Sequence, residues 1–195
     1  MVSVKKVGEE TGVVYLEVKD TNPSFVNSIR RTVMRDVPTL AVENVAIYEN
    51  DSVMFDEFVS HRLGMLPIKS SAKGYKPGES LKLVLEKEGP CMVYSKDIKS
   101  TDPKVEVADK KIPIVKLGKG HTLKLEMTAV MMSGKEHTKW QPAVISYKQD
   151  DKDEKTFTFE IESTGSLTTK ELLDKAVSVL QEKVKEFEKE LKKVK

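Results

Sequence analysis

The sequence predicts an α+β fold: an antiparallel sheet served by two amphipathic helices, one near each end of the chain, with a mostly β region between them. Two observations carry this. Apolar residues recur at helical spacing in TNPSFVNSIRRTVMRDVP and again beyond Gly165, whereas they alternate one-in-two through HTLKLEMTAVMM and TFTFEIES.

The elements run in order as follows. VSVKKV and GVVYLEV, separated by the turn signal GEETG, are a strand pair between Val2 and Val18. In the next segment Phe25, Ile29, Val33 and Val37 recur every four residues with Val26 beside them, the stripe of an amphipathic helix. Asn22 is placed to cap it, Pro23 suits its first turn, and Pro38 stops it by disfavouring helical geometry at the residue before. AVENVAIYEN then reads as a strand, and DSVMFDEFVSHRLGMLPI as a short helix ending at Gly64. SSAKGYKPGES is a polar loop, and LKLVLEKEGPCMVYS holds two strands around Gly89-Pro90. Leu123, Leu125, Met127, Ala129 and Met131 share one face of a half-buried strand. KQDDKDEK, from Lys148 to Lys155, is an exposed loop or boundary between the strands AVISY and TFTFEIES.

The closing helix opens on a capping box, Thr168 with Glu171. Leu173, Val177, Leu180, Val184, Phe187, Leu191 and Val194 follow at spacings of four and three, a heptad seam. A helix from Thr169 to Lys195 would be roughly 40 Å long at ~1.5 Å per residue, more than a small sheet covers. Leaving four such side chains in water would forfeit on the order of 6 to 12 kcal/mol, as much as a domain's net stability. A second chain is expected to cover the seam.

Composition narrows the function classes. The single Cys91 can form no disulfide within the chain and, with three histidines, no zinc or iron-sulfur site, so a reducing cytoplasm is expected. No apolar run approaches the ~20 residues of a membrane span, and MVSVKKVGEE lacks a signal-peptide core. The 33 Lys and Arg against 31 Asp and Glu leave a net charge of +2, too little to grip a phosphate backbone alone.

The basic residues are nearly all lysine; only Arg30, Arg31, Arg35 and Arg62 are arginine, and all lie between positions 30 and 62. Guanidinium offers a planar fork for carboxylates and carbonyls that ammonium cannot copy, so this segment is a candidate recognition surface. Arg31 or Arg35 is expected to be partly buried and paired.

The remaining motifs carry no catalytic assignment. GKGHT lacks the first glycine of a phosphate loop and precedes a strand, so it reads as a hairpin turn. His61, His121 and His137 stand on different elements without metal-ligand spacing, and Ser60 beside His61 is no triad. Asp150, Asp151 and Asp153 lack the glycine turn and terminal glutamate of a calcium loop. Trp140 is either a core anchor or an interface hot spot.

FVNSIRRTVMRDVPTLAVENVAIYENDSVMFDEFVSHRLGMLPI resembles the most characteristic stretch of the D-subunit family of archaeal DNA-directed RNA polymerase. It is more distantly similar to the amino-terminal domain of the bacterial α subunit and to the third-largest subunit of eukaryotic polymerase II. The resemblance continues through EGPCMVYSKDI, GKEHTKWQPA and FTFEIESTGSLTTKELLDKAVSVLQEK, and so covers nearly the whole chain in order.

The resemblance implies a discontinuous dimerisation domain, residues 1–40 plus 154–195, with a mostly β domain, 41–153, inserted between. It implies a non-catalytic scaffold subunit in transcription that pairs with the small L subunit and nucleates binding of the large catalytic subunits. Other small polymerase subunits would join the same complex, and DNA would be met only through it. Phe25, Ile29, Val33, Leu173, Val177, Leu180 and Val184 would line the core between the partners, with Phe187 further along the seam. Arg30, Arg31 and Arg35 would face a partner subunit, the second-largest catalytic one foremost, Arg62 in HRLGMLPI would be a further partner-binding residue, and active-site residues would lie on other chains. Many D subunits carry a cysteine-rich iron-sulfur domain where this chain has only KQDDKDEK, so no cofactor is expected. The alternatives are a self-associating protein of α-subunit-like fold and, less favoured, a small nucleotide-using enzyme built around GKGHT or His61.

Overall fold

β1 (Ser3–Glu10) and β2 (Val13–Lys19) form an antiparallel hairpin whose two turn residues, Thr11 and Gly12, both have positive φ. Turns of that hand match the right-handed strand twist. The computed structural model describes residues 1–70 and 75–194, so residues 71–74 of the polar loop SSAKGYKPGES lie outside it, as does Lys195. The chain divides into two units: Met1–Val37 with Ser133–Lys135 and Gln141–Lys195, and Pro38–Met132 with Glu136–Trp140.

In the first unit the hairpin joins β9 (Ala143–Gln149) and β10 (Phe157–Ser163) in an antiparallel sheet of order β1-β2-β10-β9. Register places Phe157 opposite Val18, Phe159 opposite Leu16 and Ile161 opposite Ile145, so one face is a continuous apolar layer. α1 (Pro23–Arg35) packs on β9 and against α3 (Thr169–Leu191), which also meets β10. Asn22 caps α1 by accepting the Phe25 N–H at 2.9 Å, and Thr168 with Glu171 closes the capping box of α3.

β9 corrects the expected boundary. The bounds that the resemblance implies put its residues in the insert, 41–153, but β9 pairs with β10 in the first unit and the polar run KQDDKDEK is the turn between them. Asp150 Oδ1 accepts the N–H groups of Lys152 and Asp153, and Asp153 Oδ2 accepts the Thr156 hydroxyl at 2.7 Å. These carboxylates fold the turn itself, which is why so charged a stretch connects paired strands.

The second unit is mostly β. β8 (Thr122–Ser133) begins in it and is central to a sheet of order β3-β8-β4-β6, with β3 (Pro38–Asn50), β4 (Ser80–Glu88) and β6 (Lys99–Ser100). Leu125 faces Leu85, Met127 faces Leu83 and Ala129 faces Leu81 on the buried side, as the one-in-two alternation predicts. α2 (Asp56–Gly64) adds Val59 and Leu63 to this core. β5 (Cys91–Tyr94) and β7 (Pro113–Leu117) form a separate pair.

One expectation changes here and one open alternative is decided. GKGHT is a turn, but no hairpin: β7 pairs with β5 and β8 with β4, so the chain crosses between sheets at Gly118–Gly120. Gly89 permits this crossing, since a Cβ there would lie 2.0 Å from the Gly118 carbonyl oxygen. Trp140 is a core anchor: it is buried, its indole N–H donates to the Val130 carbonyl at 2.9 Å, and its own carbonyl accepts the Thr39 hydroxyl at 2.7 Å. Lys139 Nζ stands 4.4 Å from its ring centroid and is ion-paired with Glu43.

Candidate partner-binding surface

α3 has two working faces. Leu172 and Ala176 are fully buried in the first unit's core, and Lys183, further along the same row, bonds Asp36 at the C-cap of α1 with Nζ 2.7 Å from Oδ2. The heptad seam lies roughly a quarter turn around the helix from that row. Leu173 and Leu180 are half-buried; Val177, Val184, Phe187 and Leu191 are exposed, Phe187 by 66%, and the helix ends at Leu191, short of the expected Lys195, so exposed Val194 lies beyond it. Sequence reasoning found the seam but missed Leu172 and Ala176. Their only signal is the doublet Leu172-Leu173, in which one leucine belongs to each face.

α1 supplies the opposite wall. Phe25 is exposed, Ile29 is nearly buried, and together with Val177, Leu180 and Val184 they line a groove of about 620 Å³. Gln181, Lys185 and Glu188 complete it, so an apolar floor is edged with polar groups of both signs. Val33 is a correction: it is fully buried among the unit's own side chains and has no surface to offer a partner. Being eight residues beyond Phe25, it drifts about 80° around the helix, from the groove to the sheet side.

The arginines differ from expectation. Val26, Ile29 and Val33 mark the core side of α1, and at 100° per residue Arg31 and Arg35 fall opposite it. Both are exposed, whereas Arg30, on the flank, is half-buried and donates from Nε to Asn27 Oδ1 at 3.3 Å. Arg62 is exposed on α2 and donates from Nη2 to the Pro113 carbonyl. Among the described residues none of the four has a carboxylate partner. Arg35 occupies the last turn of α1, where positive charge suits the helix dipole.

Among the described residues no cluster of three potential metal-ligating side chains occurs, and no helix is long and apolar enough to cross a membrane. What the first unit presents is a sheet with two helices and a long apolar face turned to solvent, the construction of a pairing module. The chain belongs to the RNA polymerase Rpb3/Rpb11 dimerisation domain family, whose model matches residues 15–184.

Its similarity to known members is extensive. It is 48% identical over 164 residues to the DNA-directed RNA polymerase subunit Rpo3 of Methanocaldococcus jannaschii, covering 84% of this chain and 83% of that one. It is 40% identical over 154 residues to Rpo3 of Pyrococcus horikoshii and 45% identical over 132 residues to Rpo3 of Halobacterium salinarum. The aligned parts span 60% and 53% of those two proteins, little more than half their length.

Proposed function

We propose that this chain is the non-catalytic assembly subunit of a DNA-dependent RNA polymerase, and that its first unit pairs with a small L-type subunit of similar fold. The observation that supports this most directly is the exposed seam of α3 with the groove beside Phe25. A partner helix laid there would remove Val177, Leu180, Val184 and Phe187 from water at ~1.5 to 3 kcal/mol for each side chain fully buried. The pair would then receive the large catalytic subunits, with exposed Arg31 and Arg35 free to meet their carboxylates or carbonyls. Arg30 and Arg62 are already engaged within the chain and would serve as flanking contacts.

Co-expression with the L subunit is the test. A stable one-to-one heterodimer that is lost on Val184→Asp is expected. A homodimer that survives in the presence of L would instead favour the α-subunit-like alternative, and normal pairing by the variant would place the interface elsewhere. The same reading has the chain working in the cytoplasm without an iron-sulfur cluster, since one cysteine cannot supply four thiolates. Visible absorbance of such a cluster in anaerobically purified protein would overturn that part.

A further inference from the structure

α2 is apolar on two faces. Val59 and Leu63 point into the second unit's core, while Phe58 and Met65, seven residues apart and so on one side of the helix, are exposed. The loop before it adds Val53, exposed by 89%, and Phe55, exposed by 73%, whose ring centroid lies 6.4 Å from that of Phe58. Side chains of this size so fully in water, gathered within thirteen residues, mark a binding surface.

The loop is built to hold them there. Asn50 Nδ2 donates to the Met54 carbonyl at 3.0 Å and to Asp56 Oδ1 at 2.7 Å, while Asn50 Oδ1 accepts from Ser52 N and Oγ. Ser52 Oγ in turn accepts the Met54 N–H at 3.2 Å. These five side-chain hydrogen bonds in a short span hold the backbone before any partner arrives, which lowers the ordering cost of binding.

The rim identifies the partner's chemistry. Asp56 and Glu57 follow Phe55 directly in the first turn of α2, and Asp51 stands at the start of the loop with Oδ2 accepting the Thr122 N–H at 3.0 Å; among the described residues none of the three has an ion-pair partner. Arg62, on the same helix, is tied to the Pro113 carbonyl. A second copy of this chain docking face to face would bring three carboxylates against three others, so charge disfavours self-association here. We propose that the outward face of α2 and its preceding loop form a second docking surface, taking a segment of another protein that presents apolar side chains flanked by lysine or arginine. This surface lies in the second unit and does not depend on the pairing proposed for the first.

The test compares hydroxyl-radical oxidation of the free chain with that of the complex purified through a tag on this chain. Phe55, Phe58 and Met65 should oxidise several-fold more slowly in the complex. A photo-crosslinker at position 58 should attach to a different chain, in a peptide of net positive charge. Glu57→Lys should lower retention of that chain more than Glu57→Gln does, and Phe55→Ala/Phe58→Ala should abolish it while leaving the free chain's melting temperature unchanged. Unaltered oxidation of Phe58, or crosslinking only to this chain or to an acidic peptide, would overturn the proposal. Phe187 on α3 reports the first unit independently: its protection without that of Phe58 overturns this surface and leaves the pairing standing, and oxidation of both in a solitary chain overturns both.

Discussion

Lys183 and Asp36 form an ion pair between α3 and the end of α1, with Nζ 2.7 Å from Oδ2. Asp36 is the C-cap of α1 and donates its N–H to the Thr32 carbonyl at 2.9 Å, so its carboxylate sits at the negative end of a helix dipole. Lys183 offsets that conflict. A largely solvent-exposed lysine contributes only ~0.2 to 1 kcal/mol, and Lys183→Ala should cost no more than this in urea unfolding at low salt. Asp36→Asn removes the same bridge but also relieves the dipole, so it should cost less than Lys183→Ala. The reverse order would mean that Asp36 does more than receive Lys183.

The two faces of α3 separate stability from pairing. Leu172→Ala empties a fully buried site and should destabilise the free chain by ~2 to 5 kcal/mol. Val184→Asp alters a side chain that is 56% exposed, so the free chain should stay within ~0.5 kcal/mol of wild type while pairing is lost. Leu180→Asp is less clean, because Leu180 is half-buried and packs against the unit's own core. Denaturant curves of the free variants, beside size-exclusion profiles of the co-expressed ones, check both halves.

This division also shows how far the sequence could be read. Periodicity located α1, α3 and the buried face of β8, because each rests on a repeated spacing that one face of one element must satisfy. It could not assign the heptad seam against the Leu172–Ala176 row, since both are apolar and the choice depends on how α3 rotates on β10. Polar text at KQDDKDEK left an exposed loop and a boundary both open, and the aspartates build the loop, as a hairpin turn. Val33, which the resemblance puts between the partners, lies in the chain's own core: its spacing from Phe25 is helical, but eight residues carry it around the cylinder. The acidic rim and exposed aromatics of α2 are visible as letters in SVMFDEF, yet exposure is a tertiary fact.

Gly134 should tolerate no side chain. A Cβ there would lie 2.1 Å from the Met34 carbonyl oxygen, and the next residue, Lys135, donates its N–H to the Arg35 carbonyl at 2.8 Å. Gly134→Ala must push the strand exit away from the end of α1, at a cost of ~1 to 3 kcal/mol typical of overpacking. Hydrogen exchange should quicken first at the Lys135 amide. Unchanged protection there would show that the α1 terminus yields more easily than its carbonyls suggest.

Glu106 gives the second unit a pH-dependent element. It bridges Lys69 and Lys110 at 2.6 and 2.9 Å, and the hydrogen bond from Lys69, then that from Lys110, hold its carboxyl at about 2 instead of the ordinary 4.5. A depressed carboxylate stabilises the fold above its unfolded pKa and loses that contribution as pH falls through the folded one. The loss therefore falls between about pH 4.5 and about 2. Carbon-detected NMR titration should show Glu106 titrating well below the ordinary 4.5, and Lys69→Met should move it back upward. An ordinary titration would mean that the bridge does not persist in solution.

The arginines test whether geometry or charge is needed for assembly. Arg31 and Arg35 are exposed and have no carboxylate among the described residues, so Arg31→Lys and Arg35→Lys should leave free-chain stability within ~0.5 kcal/mol. A lysine keeps the charge and loses the planar fork, which matters only where a partner supplies two acceptors in one plane. If these positions meet carboxylates or carbonyls of a large subunit, each swap should weaken recovery of that subunit with the tagged chain, while pairing through α3 persists. Arg30→Lys serves as the internal control, since it also forfeits the Nε–H bond to Asn27 and should perturb α1 itself slightly. Equal recovery with lysine at both exposed positions would show that charge suffices, and the confinement of arginine to residues 30–62 would then have no explanation in guanidinium geometry.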